Sequence, residues 1–129
     1  MRVTTALAAL LVAGLPALDS APVMARSEPG HVYGAIAYSK STGAFGFSYE
    51  FPNSEEANEL ALSKCSQNAQ DCYVVISFSN LCASVVADSR REVYWGHAAS
   101  RGEAQRQAMS ACRNDGGVDC DVKVWACSM

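Results

Sequence analysis

Hydrophobic and polar positions follow a pattern that occurs twice along the chain. In the first copy, two apolar runs within residues 34–51 flank a polar turn ending in Gly43, which predicts a β-hairpin. Small and apolar residues then recur at helical spacing through residues 53–65, which predicts an amphipathic helix. The nearly continuous apolar run at residues 72–78 predicts a central strand that is covered on both faces. The order in this copy is hairpin, helix, strand.

The second half of the chain repeats this order. Residues 82–98 predict another hairpin around a polar turn, residues 101–112 have helical spacing, and residues 120–127 predict a closing strand. Both helices begin with a capping pattern, in which glutamate follows a small polar residue three positions later. The capping residues are Asn53 with Glu56 and Ser100 with Glu103. Two ββαβ copies predict one α+β domain, with an antiparallel sheet that carries both helices on one face.

Six cysteines follow the repeat. Each copy has one cysteine at the end of its helix and another at the start of the next strand, and these predict a local bridge in each copy. The predicted local bridges are Cys65–Cys72 and Cys112–Cys120. Cys82 and Cys127 remain, and a bridge between them is predicted to tie the two halves together.

The cysteine spacing does not suit a metal or redox site. The local pairs enclose six and seven residues, and structural zinc sites use shorter gaps. The redox motif C-x-x-C is absent from the sequence. We therefore expect three structural disulfides, with no metal and no cofactor.

The N-terminal segment has the features of a secretory signal peptide. Arg2 precedes an apolar run that is too short to span a bilayer, and small residues precede a cleavage site after Ala25. We expect a signal peptide over 1–25, a flexible lead over 26–32 and one duplicated, disulfide-rich domain over 33–129. The cleaved protein is expected in the periplasm or outside the cell, where disulfides persist.

The charge pattern bears on the class of partner. The formal net charge is −3, and residues 26–82 carry six acids against three bases. This composition argues against a nucleic-acid partner, because such domains present a basic surface.

Five stretches of the chain together resemble a known family. They are "GAIAYSKSTGAFGFSY", "EEANELALSKC", "DCYVVISFSNLCASVVAD", "SRGEAQRQAMSAC" and "DCDVKVWAC". From about Tyr33 to Cys127 the pattern resembles the domain of unknown function 4189 family. Members of that family are small bacterial domains, usually found behind a signal peptide. The resemblance implies an exported bacterial domain and supplies no catalytic or binding residue. The second hairpin departs from the pattern at residues 94–97, "YWGH", where the family has a Gly- and Trp-rich stretch.

An aromatic row on the second predicted strand is the first candidate site. Its members are Phe45, Phe47, Tyr49 and Phe51, and their spacing of two places them on one strand face. The favoured interpretation is a core face under a helix, with Phe51 partly exposed at the strand end. The alternative is a surface that binds a glycan or a protein.

One tryptophan and one acidic pair are further candidates. Trp125 shares a strand face with Lys123 rather than with the valines, so it either binds a partner or packs over the Cys82–Cys127 bridge. Glu55 and Glu59 on the first helix form either a solvated face or a charged contact surface.

His97 is the candidate with possible acid–base chemistry. Aligning Gly46 with Gly96 places His97 at the position of Phe47. Histidine is a common base near neutral pH, and Ser100 is close in sequence. The favoured interpretation is nevertheless a structural ring, because Ser100 is already predicted to cap a helix.

These features favour a non-catalytic binding module of the bacterial envelope, of the inhibitor or immunity type. Its expected partner is a protein or another envelope component. One alternative is a hydrolase that acts on the cell wall or on a secreted substrate with His97 as its base. The other is a structural or stress-related envelope protein.

Overall fold

A computed structural model describes residues 30–129, together with the isolated Gly14. The predicted signal peptide and residues 26–29 of the predicted lead lie outside the described residues. The elements, in chain order, are β1 (Tyr33–Tyr38), β2 (Phe45–Phe51), α1 (Ser54–Ser66), β3 (Tyr73–Ser79), β4 (Leu81–Ala87), β5 (Val93–Ala98), α2 (Arg101–Asn114) and β6 (Asp121–Ser128). The predicted α+β class with two ββαβ units is confirmed.

The two units form two sheets, where the sequence predicted one. One antiparallel sheet has the strand order β2-β1-β3, and the other has the order β5-β4-β6. Helix α1 packs on the first sheet and α2 packs on the second. The uncovered faces of the two sheets pack against each other, so the layer order is helix, sheet, sheet, helix. The prediction of one sheet with both helices on one face is therefore wrong.

The reason for two sheets lies in the central strands. In β1, Ala35 and Ala37 pack against α1, whereas Ile36 between them packs against the other sheet. In β4, Val86 packs against α2 and Val85 packs between the sheets. Each central strand is therefore buried on both faces. The predicted central strand at residues 72–78 is instead β3, which lies at a sheet edge.

One residue connects the two units. Asn80 stands alone between β3 and β4, and its backbone is in the left-handed region, with φ at 55°. Its side-chain Oδ1 accepts from the Val32 N–H at 3.1 Å, and its own N–H donates to the Val32 carbonyl at 3.2 Å. Asparagine tolerates this conformation better than most residues. The chain therefore passes from one sheet to the other at a bend that is tied to the start of β1.

The predicted helix caps are confirmed. The Asn53 side chain accepts from the Glu56 N–H at 2.9 Å, and the Ser100 hydroxyl accepts from the Glu103 N–H at 3.3 Å. Each bond satisfies an N–H group that has no partner within its helix.

The strand register gives the internal equivalence of the two hairpins. Ala35 pairs with Ser48, and its counterpart Ser84 pairs with Gly96. Gly96 is thus equivalent to Ser48, and the predicted match of Gly96 with Gly46 is wrong by two residues. The predicted alignment matched two glycines that both allow a helix to approach closely. They contact different helical turns, because Gly46 meets Ala61 of α1 and Gly96 meets Ala104 of α2. Trp95 is consequently equivalent to Phe47, and His97 to Tyr49.

All three predicted disulfides are present. Cys65–Cys72 and Cys112–Cys120 each join the end of a helix to the chain just before the next strand, and Cys82–Cys127 joins β4 to β6. The last bridge does not tie the two halves together as predicted. Both of its cysteines lie in the second sheet, directly opposite each other. The two units are held together instead by the apolar layer between the sheets.

Removal of the long bridge is expected to cost more stability than removal of a local one. In the chain-entropy model, Cys82→Ala/Cys127→Ala lowers the free energy of unfolding by about 4 kcal/mol, and Cys65→Ala/Cys72→Ala by about 2.5 kcal/mol. The sequence separations of 45 and 7 residues set this order. Denaturant unfolding of the two double variants measures the difference, and a larger loss from the local pair contradicts it.

Gly46→Ala is expected to destabilise the first unit strongly. A Cβ atom at this position would stand 2.1 Å from the Ala61 carbonyl oxygen, so α1 must move away from β2. We expect a loss of about 2 kcal/mol or more in the free energy of unfolding. Gly102→Ala is the matched control within α2, where a Cβ atom meets nothing closer than 3.4 Å. It is expected to gain up to about 1 kcal/mol, and equal effects of the two substitutions would refute the close-packing argument.

Candidate functional site

An apolar groove of about 500 Å³ lies between the edge strands of the two sheets. We call it the aromatic groove. Its lining residues are Phe45, Phe47 and Tyr49 of β2 and residues 123–127 of β6. Both β2 and β6 pair with a neighbour on one side only, so the groove runs along two sheet edges.

The β2 wall of the groove is a stacked aromatic ladder. Phe47 and Tyr49 are stacked, with ring centroids 6.3 Å apart and planes inclined by 15°. The Lys64 ammonium of α1 lies 5.1 Å from the Phe47 ring centroid, which is within cation–π range. The intervening Gly46 packs against α1, and Ser48 donates to the Ala57 carbonyl at 2.6 Å. The helix thus fixes the back of the strand whose front carries the rings.

The β6 wall carries Trp125 and Lys123, and Arg101 of α2 lies beside it. Trp125 remains 39% exposed, and the Arg101 guanidinium lies 4.0 Å from its ring centroid. Lys123 forms an ion pair with Asp121 at 3.3 Å. Val124 and Ala126 point the other way, into the layer between the sheets. Trp125 therefore lies apart from Val124, as predicted, whereas a bulge turns Val122 to the α2 side, against the prediction; Arg101 covers one face of Trp125.

The aromatic row differs from the predicted core face. Phe45 and Tyr49 are 43% and 50% exposed, because β2 is an edge strand and its outer side is uncovered. Only Phe47 packs against the inter-sheet core. The core interpretation is thus wrong for Phe45 and Tyr49.

Phe51 lies on the opposite face of β2 from the groove. A bulge follows Ser48, with Glu50 in the left-handed region at φ 61°. The extra residue reverses the alternation, so Phe51 packs against the α1 cluster instead. No feature of the spacing alone distinguished this bulge from a regular strand.

The internal repeat shows how the two pairs of sheet edges differ. On the other side, β3 lies near β5 and presents Ser77 and Phe78 at the positions of Trp125 and Ala126. Phe78 is 4% exposed and fills the space between the sheets, where Ala126 leaves room.

His97 is not brought together with the other candidate residues. It lies on β5, at the opposite edge of the second sheet from Trp125. Its exposed ring packs edge-to-face on Trp95, with centroids 5.4 Å apart. Its backbone N–H donates to the Gln107 side chain at 3.1 Å. The nearby Ser100 hydroxyl caps α2, so the contacts around His97 are those of a surface ring.

Glu55 and Glu59 are exposed on α1. Helix α1 packs on the face of the first sheet that points away from the groove. The structure thus separates this acidic pair from Trp125 and from His97.

A serine–carboxylate cluster at the β1–β2 turn went unpredicted. The Asp71 carboxylate accepts from the Ser39 and Ser41 hydroxyls at 2.5 and 2.8 Å and from the Ser41 N–H at 3.2 Å. These hydrogen bonds, led by the one from Ser39, lower the pKa of Asp71 below its usual 3.8. Because Asp71 precedes Cys72, the cluster ties the hairpin turn to the first disulfide. Its polar atoms are engaged with one another, which is the arrangement of a structural clamp.

Two further findings concern the part of the chain that the structure describes. No group of three or more histidine, cysteine, aspartate or glutamate residues between 30 and 129 is arranged to hold a metal ion. Within the same range, neither helix has the length and apolar character needed to cross a membrane.

Comparison with known proteins places the chain in a family. The family model for the domain of unknown function DUF4189 matches residues 33–127, which is most of the chain. The chain belongs to the DUF4189 family. The fold of this DUF4189 protein is similar to the NMR structure of Rv1813c from Mycobacterium tuberculosis, with a TM-score of 0.54 and 23% identity. That match covers 99% of this chain and 96% of the other, and it shows a shared fold. No curated protein matches the chain.

The Asp71 clamp is expected to weaken in acid. Because the folded pKa is lowered, ionised Asp71 favours folding above the ordinary value, and this contribution is lost as the pH falls through the folded pKa. The stability difference between the native protein and Asp71→Asn should therefore shrink on acidification below about pH 4. Denaturant unfolding across pH 6 to 2 measures it. Ser41→Ala should raise the pKa of Asp71, as followed by NMR, and an unchanged pKa counts against the clamp.

Proposed function

We propose that this DUF4189 domain is a non-catalytic binding module of the bacterial envelope, and that the aromatic groove is its binding surface. The observation that carries the proposal is the exposure of Phe45, Tyr49 and Trp125 around one groove. Exposed aromatic side chains on a small soluble domain are typical of interaction sites, because they bury a large area without losing much rotamer freedom.

The rigidity of both walls supports this role. Helix α1 packs closely on the back of β2, and the Cys82–Cys127 bridge holds β6 to β4 at one end of the groove. A preformed groove loses little conformational entropy when a partner binds. The volume of about 500 Å³ is also in the range of ordinary ligand sites.

The compartment is part of the same proposal. Three disulfides and no free cysteine among the described residues are typical of proteins in oxidising compartments. Together with the signal peptide predicted over residues 1–25, they support a periplasmic or secreted protein whose partner is a protein or another envelope component.

The proposed role assigns no chemistry to His97. A hydrolase would need a base within hydrogen-bond reach of a nucleophile or of the substrate. The recorded contacts of His97 are the Trp95 ring and the Gln107 side chain, and neither supplies a nucleophile. His97 and the groove lie at opposite edges of the second sheet, so their roles can be tested with separate substitutions.

Substitution in the groove is expected to weaken partner binding. The protein purified after export is immobilised, a captured envelope or secreted component is identified, and its purified form is titrated against variants. We expect Tyr49→Ala/Trp125→Ala to weaken binding at least about tenfold, because central aromatic anchors typically contribute 1–2 kcal/mol or more each.

Two variants serve as controls in the same titration. Trp95→Ala removes a tryptophan that is 48% exposed, against 39% for Trp125, from the opposite sheet edge, and His97→Ala removes its neighbour. Both should bind within about twofold of the native protein, since changes away from an interface usually have little effect. Binding that survives the groove substitutions but is lost with Trp95→Ala or His97→Ala would falsify the proposal.

A further inference from the structure

We propose that the aromatic groove receives an extended peptide strand that pairs with the outer edge of β6 and carries acidic side chains. This inference rests on the binding function proposed above and names the class of its ligand.

The first support is the direction of the β6 backbone groups. Cys82 and Cys127 face each other across the β4–β6 ladder with their Cα atoms 3.9 Å apart. So short a separation marks a pair that exchanges no backbone hydrogen bonds. The N–H and C=O groups of Cys127 therefore point away from β4, and so do those of Trp125 two residues earlier.

These outward backbone groups line the groove without a strand beside them. Trp125 and Cys127 both line it, and within residues 30–129 β6 pairs with β4 alone. A free edge with a row of donors and acceptors is the template to which an extended peptide adds. A glycan would use the aromatic rings but has no matching row of amides, so the edge favours a peptide.

The second support is that the two sides of an added strand would meet different surroundings. Successive side chains of a strand point to opposite faces. On one face they would meet the rings of Phe47 and Tyr49, which belong to the inter-sheet side. On the other face they would meet Trp125 and the Arg101 guanidinium that lies over it. The expected ligand therefore alternates apolar residues, which face Phe47 and Tyr49, with residues that face Trp125.

The charges around the groove indicate that the ligand residues facing Trp125 are acidic. Arg101 covers Trp125 and Lys64 covers Phe47, and neither cation forms an ion pair within the described part of the chain. Lys123 is already paired with Asp121, and Glu50 is an exposed acid beyond Tyr49. Arg101 thus supplies an unpaired cation on the Trp125 side of the groove, and Lys64 supplies a second over the ring of Phe47. Acidic side chains on the Trp125 side of the ligand are complementary to Arg101.

A peptide of alternating valine and glutamate tests the inference directly. Acetyl-(Val-Glu)₄-amide is titrated against the protein purified after export, beside its valine–lysine counterpart. We expect the glutamate peptide to bind at least tenfold more tightly. Two N-methylated versions, one modified on the valine amides and one on the glutamate amides, should differ. The version whose methyl groups face β6 should lose at least tenfold in affinity, and the other should retain it.

Variants of the protein give the matched comparison. Lys64→Glu/Arg101→Glu changes exposed cations at the groove and should weaken binding of the glutamate peptide at least tenfold. Arg106→Glu/Arg113→Glu changes exposed cations elsewhere on α2 and should not. On binding, hydrogen exchange at the Trp125 and Cys127 amides should slow, which a ligand held by its side chains alone would not cause.

The outcomes separate this inference from the function on which it rests. Equal affinity of the two N-methylated peptides, or of the glutamate and lysine peptides, overturns the inference. The inference is also overturned if an envelope polysaccharide binds in the groove without slowing hydrogen exchange at the Trp125 amide. In those cases groove-dependent capture of an envelope component still upholds the binding function. If neither the peptide nor any envelope component depends on Tyr49 and Trp125, both proposals fail.

Discussion

The packing of two three-stranded sheets face to face is the contact on which the rest of this structure depends. Each ββαβ unit places a helix on one face of its sheet, and the small residues of β1 allow α1 to approach closely. The opposite faces supply the larger apolar side chains, such as Ile36 and Val85, which are fully buried between the sheets. Neither unit buries this face alone, so the duplicated chain folds as one domain.

The groove is a consequence of that packing and of one difference between the two copies. Stacked sheets leave edge strands uncovered, and the twofold arrangement of the units creates two such pairs of edges. At one pair Phe78 fills the gap, whereas at the other Ala126 leaves it open and Trp125 replaces Ser77. Rigid walls come from α1 behind β2 and from the Cys82–Cys127 bridge beside β6. The site thus depends on sequence differences between repeats that share one fold.

Much of the fold followed from local patterns. Helix caps at Asn53 and Ser100 and the local disulfides depend on residues close in sequence, and these predictions are confirmed. The number of sheets did not follow, because alternation in β1 does not say whether its second buried face meets a helix or another sheet. Part of the groove could be predicted, because the sequence spacing placed Trp125 on a strand face with Lys123 and so indicated a possible binding residue. The bulge at Glu50 that turns Phe51 away left no signal in the spacing.

Hydrogen exchange of the free protein measures whether the outer edge of β6 at the aromatic groove is open. The amides of Val124 and Ala126 point toward β4 by the alternation of the ladder, and those of Trp125 and Cys127 point outward. We expect slow exchange at the Val124 and Ala126 amides and fast exchange at the Trp125 and Cys127 amides in the protein alone. Protection of the Trp125 and Cys127 amides without any ligand would mean that this edge is already covered, which would contradict an open β6 edge.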